Sequence, residues 1–204
     1  MRFDAEAAVA HLRASDPKLK ALMDRVGPFR MRLDVAASPF EALSESIIYQ
    51  QITGKAAQTI AGRFCERVGD GKFPAPQRVL DATDVILREA GLSRGKVAAL
   101  RDLATKSLDG TVPAMARLRR LEDDEIVERL TVVRGIGRWT AEMFLMFRLG
   151  RPDVLPVHDY GVRKGFQRAF RTRELPEPEK VAKRGERWRP YRTVASWYLW
   201  RALE

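Results

Sequence analysis

The sequence contains little cysteine and little histidine. Of its 204 residues, one is a cysteine, Cys65, and two are histidines, His11 and His158. A single cysteine excludes an internal disulfide framework, a four-cysteine zinc site and a four-cysteine iron–sulfur cluster. Two histidines without paired cysteines do not indicate a transition-metal site. We therefore expect no catalytic cofactor and no iron–sulfur cluster.

Long apolar runs are also missing. No uninterrupted apolar stretch is long enough to cross a bilayer, and the opening residues Met1-Arg2-Phe3-Asp4 lack the apolar run of a signal peptide. A cytoplasmic protein is expected. Acidic residues are outnumbered, with 27 Asp and Glu against 37 Lys and Arg, which gives a formal net charge of +10. This surplus favours a polyanionic partner, with nucleic acid ahead of an anionic membrane.

The alternating hydrophobicity of half-buried strands is missing as well. Almost every segment repeats its apolar residues at helical spacing, so the expected fold class is all-α. Residues 30–37 are expected to be extended. The predicted helices cover residues 3–14, 17–26, 38–51, 55–68, 77–80, 83–90, 93–108, 115–118, 123–130, 138–147, 159–170, 178–188 and 192–203.

One stretch, LTVVRGIGRWTAEMFLMF at residues 130–147, carries the most information. Its Gly135-Ile136-Gly137 segment predicts a tight turn, because glycine adopts backbone angles that other residues resist. With a helix on each side, the segment has the outline of a helix-hairpin-helix. The exposed N–H groups of the second helix, together with its dipole, favour an anion such as a phosphate. An ordinary helix connection would look the same.

Asp159 is the most pointed candidate for chemistry. It precedes a predicted helix, so it is either an N-cap or a carboxylate that stabilises a developing cation or orients a water. His158 has no partners for a triad and is expected to be structural. The aromatic residues Trp139, Tyr160 and Trp200 either belong to the core or stack on a flat base.

Two glycine-containing turns allow two interpretations each. Ile52, in the turn Gln50-Gln51-Ile52-Thr53-Gly54-Lys55, is either folded inward or an apolar wedge inserted into a base stack. The segment GLSRGKV at 91–97 is either a phosphate site or a capped helix start. The many cations between residues 163 and 201 are either solvated or neutralise phosphates.

In combination these motifs resemble the helix-hairpin-helix DNA glycosylase superfamily. The hairpin LTVVRGIGRWTA is followed, about twenty residues later, by the aspartate of LPVHDYGVRKG. The segments SESIIYQQI (44–52), GLSRGK (91–96) and RPYR (189–192) are similar to the bacterial 3-methyladenine DNA glycosylase II branch, whose members remove alkylated bases. The resemblance extends from about Pro39 to the C-terminus.

This resemblance implies a role for individual residues. Asp159 takes the place of the catalytic aspartate, and Ile52 the place of the residue inserted into the DNA. The base pocket falls on Trp139, Met143, Tyr160 and Trp200. The DNA-binding positions are Gln51, Ile52, Thr53, Arg134, Gly135, Ile136, Gly137 and Thr140. The family's structural Na⁺ or K⁺ would be held by the backbone carbonyls of Thr131, Val133 and Ile136.

The resemblance also implies an architecture of two helical domains with a cleft between them. Residues 34–151 would form the domain with the hairpin, and residues 1–33 plus 152–204 the domain with Asp159. The chain is too short for the N-terminal β domain of the best-known bacterial member. Met143 stands where that member has another pocket aromatic, so a more open pocket or a different range of bases is implied.

The implied activity is hydrolysis of the N-glycosidic bond of alkylated bases, of the 3-methyladenine and 7-methylguanine type, in double-stranded DNA. This is the first step of base excision repair. Lyase-active relatives carry a lysine where this chain has Trp139, so no Schiff base can form there and a monofunctional enzyme is expected. The chain is expected to be monomeric, nucleoid-associated in a bacterium and without a membrane partner. The alternatives are a glycosylase for deaminated or oxidised bases and a non-catalytic DNA-binding protein.

Overall fold

The chain folds into helices joined by short connections. The computed structural model describes residues 3–34, 36 and 38–204, and within these residues it contains no strand. The all-α prediction is confirmed. None of the helices in this part of the chain is long and apolar enough to cross a membrane. Of the segment predicted to be extended, residues 30–34 have no regular structure, and Val35 and Ala37 lie outside the described residues.

Every predicted helix is found, most with ends shifted by a residue or two. In chain order the α-helices are α1 (Ala5–Ser15), α2 (Pro17–Val26), α3 (Pro39–Tyr49), α4 (Gly54–Gly69), α5 (Pro76–Asp81), α6 (Asp84–Glu89), α7 (Arg94–Leu108), α8 (Met115–Leu118), α9 (Asp123–Thr131), α10 (Arg138–Met143), α11 (Tyr160–Phe170), α12 (Pro178–Gly185) and α13 (Arg192–Arg201).

Two predicted helices change type before they end. The helix predicted over 138–147 is α-helical only to Met143 and continues as a π-helix over Phe144–Arg148. The helix predicted over 178–188 ends as a 3₁₀ turn over Glu186–Trp188. Hydrophobic spacing does not distinguish these helix types from an α-helix, because each differs from it by less than one residue per turn.

The chain forms two compact units, Met1–Asp34 with Leu145–Glu204, and Val35–Phe144. The boundaries differ from the predicted ones, since Asp34 and residues 145–151 belong with the chain ends. Local contacts give the reason. The Asp34 N–H donates to the Phe147 carbonyl at 3.0 Å. The Phe147 ring stacks on that of Trp200, with 6.0 Å between the ring centroids.

The unit built from both chain ends is centred on α1, α2, α11 and α13 and includes a buried carboxylate. Asp16 has no exposed surface, caps α2 and accepts hydrogen bonds from Arg184 (2.6 Å) and the Trp188 indole (3.0 Å). Burial raises the pKa of Asp16, but these bonds and the Leu19 N–H outweigh it and lower the pKa below its usual value. The buried charge therefore joins α2 to the last turn of α12 and to the 3₁₀ turn that follows it.

In the central unit, α3, α4, α7 and α9 contribute buried apolar side chains, among them Leu43, Ile47, Phe64, Leu103 and Leu130. The hairpin formed by α9 and α10 is part of this unit.

Candidate active site

Asp159 occupies the N-cap of α11. Its Oδ1 accepts the N–H of Val162 at 2.7 Å, while its own N–H donates to the Pro156 carbonyl at 2.9 Å. The N-cap interpretation of the sequence is therefore correct as far as local structure is concerned. A cap role fixes the carboxylate in place at the start of α11.

Trp200 holds the same carboxylate from a second side. Its indole Nε1–H donates to Asp159 Oδ1 at 2.8 Å. Two donors on one oxygen fix the orientation of the half-buried carboxyl group. Tyr160 follows with 65% of its surface exposed, so its ring is available for stacking. The structure thus brings three of the predicted site residues together at the start of α11.

Gly161 makes room for this arrangement. A Cβ at this position would lie 2.8 Å from Cδ1 of Trp200 and 3.0 Å from Oδ1 of Asp159. Any larger residue would have to displace the indole or the carboxylate. The glycine in the segment DYG is therefore part of the site, and no role for it was predicted from the sequence.

Helix α13 also anchors the connection that leads to Asp159. At its first turn, Thr193 Oγ1 accepts the Val154 N–H at 3.0 Å and donates to the Arg151 carbonyl at 2.6 Å. The Arg192 guanidinium donates a hydrogen bond to Asp153, with 2.7 Å between Nε and Oδ1. Since Trp200 lies in the last turn of the same helix, one element positions both the connection and the carboxylate.

The hairpin in the central unit has one glycine that its backbone requires. Gly135 has a φ of +81°, in the left-handed region that disfavours other residues. Gly137 has a φ of −93°, and a Cβ there would meet nothing within 4 Å, so the expected need for glycine at this position was wrong. The Ile136 N–H donates to the Val133 carbonyl at 3.0 Å and closes the turn.

Asp102 of α7 holds the hairpin turn from the side. Its Oδ2 accepts the backbone N–H of Arg134 at 2.7 Å, and Lys106 pairs with its other oxygen at 2.5 Å. Burial raises the pKa of Asp102, but the Arg134 N–H and Lys106 outweigh it and lower the pKa. Nothing near Asp102 in the sequence points to a hairpin 32 residues away, so this contact has no local sequence signal.

The turn around Ile52 is tied to the same hairpin. Gln50 Nε2–H donates to the Gly135 carbonyl at 2.9 Å. Gln51 has a φ of +58°, which is uncommon for a residue other than glycine. Ile52 is 37% exposed, so the inward-folded interpretation is wrong and the apolar side chain is presented to solvent.

The other predicted DNA-binding residues differ in exposure. Thr53, Arg134, Gly135 and Gly137 are exposed, and Thr53 caps α4. Ile136 is 3% exposed and Thr140 6%, so neither side chain reaches the surface, and a side-chain contact between Thr140 and DNA is not supported. Of the predicted pocket residues in this unit, Trp139 is 49% exposed and Met143 is half-buried.

The segment GLSRGKV proves to be a capped helix start. Ser93 Oγ accepts the Lys96 N–H at 3.3 Å. The Lys96 ammonium donates to the Ile48 carbonyl at 2.6 Å, near the end of α3, and burial lowers its pKa. Lys96 therefore supports the turn that carries Ile52, through one of the three N–H donors of its ammonium group.

The carbonyls predicted to hold an alkali cation have spare acceptor capacity. The Val133 carbonyl accepts one bond, from the Ile136 N–H. Within the part of the chain that the structure covers, the Thr131 and Ile136 carbonyls accept none. Unpaired carbonyl oxygens are hard ligands of the kind that alkali cations take, so these residues fit such an ion.

Comparisons with known proteins match most of the chain. Residues 45–190 match the family described as HhH-GPD superfamily base excision DNA repair protein. DNA-3-methyladenine glycosylase 1 of Schizosaccharomyces pombe is 37% identical over 95% of this chain and 86% of its own length. DNA-3-methyladenine glycosylase 2 of Escherichia coli is 28% identical over 87% of this chain and 63% of its own length.

Solved structures agree with this match. The S. pombe 3-methyladenine DNA glycosylase in complex with abasic DNA aligns with a TM-score of 0.84, covering 95% of this chain and 95% of that one. A DNA-3-methyladenine glycosidase from Bacillus halodurans aligns with a TM-score of 0.88 at 35% identity, covering 99% of this chain and 92% of that one.

Proposed function

The chain belongs to the HhH-GPD superfamily of base excision DNA repair proteins, and we propose that it is a monofunctional DNA glycosylase for alkylated bases. Its substrates would be bases of the 3-methyladenine and 7-methylguanine type in double-stranded DNA, as for a type II DNA-3-methyladenine glycosylase. The observation that carries the proposal is the Asp159 carboxylate, fixed by the Val162 N–H and the Trp200 indole. The names of the relatives support the alkylated-base class.

The target atom lies inside the duplex, so the nucleotide must be flipped out at a cost of a few kcal/mol. Ile52 would fill the resulting gap, and its exposure supports this role. The hairpin N–H groups would hold the strand. The bond between Gln50 and Gly135 would keep the wedge and the hairpin in fixed register while the base is extruded.

In the reaction, the C1′–N bond breaks and the base leaves with the bonding electron pair. An alkylated purine of this type carries a positive charge, so departure neutralises it and needs little acid catalysis. The Asp159 carboxylate stabilises the cationic character that develops on the sugar. The oxygen of a water then bonds to C1′ and releases a proton, for which Asp159 is an acceptor. The products are a free base and an abasic site.

A Na⁺ or K⁺ held by the carbonyls of Thr131, Val133 and Ile136 would add positive charge beside the hairpin N–H groups. Trp139 supports the absence of lyase activity, because an indole cannot form the Schiff base that a lysine forms. We therefore propose base release without strand cleavage and without a catalytic cofactor.

A panel of duplexes tests this function. Each would contain one methylated, ethenylated, deaminated or oxidised base, and released base and strand breaks would be measured separately. Release of 7-methylguanine or 3-methyladenine with intact strands is expected. Release from only the deaminated or oxidised duplexes would overturn the substrate class. Strand cleavage by the enzyme itself would overturn the monofunctional assignment.

A further inference from the structure

The unit formed by both chain ends has a basic concave surface. A cavity of about 890 Å³ is lined by Arg25, Arg30, Arg32 and Arg168, with Phe147 and Trp200 among its aromatic residues. An adjoining hollow shares Arg25 and Arg168 and adds Lys18 and Arg171. We call these six cations together the basic tract: Lys18, Arg25, Arg30, Arg32, Arg168 and Arg171. They come from α2, the segment after it, α11 and the C-cap of α11, so the fold has to assemble them.

Most of these cations are not neutralised. Among the residues that the structure covers, no carboxylate pairs with the five arginines of the tract, whose side chains are all exposed. Arginines elsewhere are often paired, as in Arg101–Asp84, Arg129–Glu125 and Arg192–Asp153. Of the described residues that line the two hollows, only Glu204 is acidic, and it pairs with Arg201 at 2.6 Å.

Helix dipoles do not account for the whole tract. Arg25 and Arg168 lie in the last turns of their helices, where a cation is favourable in any protein. Arg30 and Arg32, in contrast, lie in a segment without regular structure. None of the large apolar side chains that are exposed in the described chain lines these hollows, so an anionic membrane would find no apolar face to bury there.

The basic tract begins beside the candidate catalytic group. The Trp200 side chain lines the large cavity, and its indole N–H holds Asp159. Helix α11 connects the two places, with Asp159 at its N-cap and Arg168 in its last turn. At about 1.5 Å per residue, Arg168 lies roughly 12 Å along the helix from Tyr160, the length of three to four base-pair steps.

We propose that the basic tract is a second DNA-binding surface, which takes backbone phosphates of the DNA that flanks the base at Asp159. Phosphodiester groups match exposed guanidinium groups in charge and in hydrogen-bond geometry. This surface is distinct from the hairpin. The inference rests on the proposed function, because it requires DNA to be the partner. It would hold the strand within a few nucleotides of the flipped base.

The test measures binding of a short, undamaged, fluorescently labelled duplex over a series of KCl concentrations. The tract variant is Arg25→Gln/Arg168→Gln. The control, Arg117→Gln/Arg173→Gln, loses the same charge from exposed arginines that line neither hollow. A plot of log K against log salt has a negative slope, which should become less steep by about 0.9 for each lost phosphate contact. For the tract variant this amounts to roughly 1.8. The control should keep the native slope.

A tract variant with the same slope and affinity as the control would overturn the proposal. Arg25→Lys/Arg168→Lys should restore most of the slope, because a lysine also neutralises a phosphate. Thermal melting of each variant identifies any loss of fold, and in that case the lysine variant decides. Tract-dependent binding to phosphatidylserine vesicles, without tract-dependent binding to DNA, would also overturn it.

The undamaged duplex separates this inference from the proposed function. Suppose that the native protein releases no alkylated base, while DNA binding by the tract variant depends less on salt than native binding does. The glycosylase proposal then fails and the proposal for the basic tract stands. If the native protein releases alkylated bases but its DNA binding is independent of the tract, the reverse holds.

Discussion

The indole N–H of Trp200 donates a hydrogen bond of 2.8 Å to Oδ1 of Asp159 and thereby joins the last turn of α13 to the N-terminus of α11. The same oxygen caps α11 through the Val162 N–H at 2.7 Å. A residue predicted only to line a base pocket therefore also orients the candidate catalytic group. The Phe147 ring, stacked on Trp200, supports the indole in turn.

Trp200→Phe should slow base release while retaining an aromatic ring beside Phe147. A hydrogen bond to a charged group contributes about 1.5–3 kcal/mol, so a fall of roughly tenfold to a hundredfold is expected if the bond matters in the transition state. The measurement is the single-turnover rate of 7-methylguanine release at saturating enzyme. An unchanged rate would show that Trp200 does not orient Asp159 for the reaction.

Gly161→Ala should act on the same contact, because its Cβ would lie 2.8 Å from Trp200 Cδ1. The indole or the carboxylate must move, and a decrease in rate of about tenfold or more is expected. Groups in direct contact are not additive. In the double variant with Trp200→Phe, the combined loss should therefore be smaller than the product of the single losses. Fully multiplicative losses would place the two residues in separate roles.

Gln50→Ala should weaken DNA binding, because it removes the bond of 2.9 Å to the Gly135 carbonyl. Loss of a neutral hydrogen bond of about 0.5–1.5 kcal/mol corresponds to roughly a two- to tenfold increase in Kd. Gln58→Ala is the matched control, since Gln58 is an exposed glutamine on α4 of the same unit. Equal Kd values for the two variants would mean that the link between wedge turn and hairpin has no part in binding.

Asp16→Ala should destabilise the unit formed by the chain ends, because it leaves the Arg184 charge and the Trp188 N–H without their buried partner. Breaking a buried pair costs about 3–5 kcal/mol. The folded pKa of Asp16 is lowered, so this stability is present above the unfolded pKa of about 3.9 and is lost as the pH falls through the folded pKa.

Urea unfolding at neutral pH and below about pH 3 checks this prediction. The difference between the native protein and Asp16→Ala should be large at neutral pH and should shrink in acid. Asp24→Ala, which removes a carboxylate from an exposed pair with Lys20, is the control and should cost much less. A difference that stays constant with pH would contradict the assignment.

The sequence predicted features that depend on neighbouring residues. The all-α class, the positions of the helices, the capping aspartate and the hairpin turn follow from local spacing and from single residues such as Asp159 and Gly135. The resemblance to a known family added their roles. The exposed Ile52 was one of two open interpretations, and only its surroundings in the fold decide between them.

Other features depend on contacts between distant parts of the chain. Gln50 and Gly135 are 85 residues apart, and Asp102 and Arg134 are 32 apart, so no local pattern links them. The boundary between the two units lies before Leu145 and not after residue 151 as predicted, because Phe147 contacts Asp34 and Trp200. Hydrophobic spacing does not reveal these contacts. In the sequence the cations of the basic tract are scattered, and only the packing of α2 and α11 brings them to one surface.

Asp159→Asn tests whether the carboxylate charge is needed for base release. Asparagine is also a good N-cap, and its side-chain oxygen can accept the bonds from Val162 and Trp200, so the substitution removes the charge and keeps the local structure. Single-turnover release of 7-methylguanine from duplex DNA should fall by about a hundredfold or more, with DNA affinity and melting temperature retained. Base release by Asp159→Asn at the native rate would contradict the account.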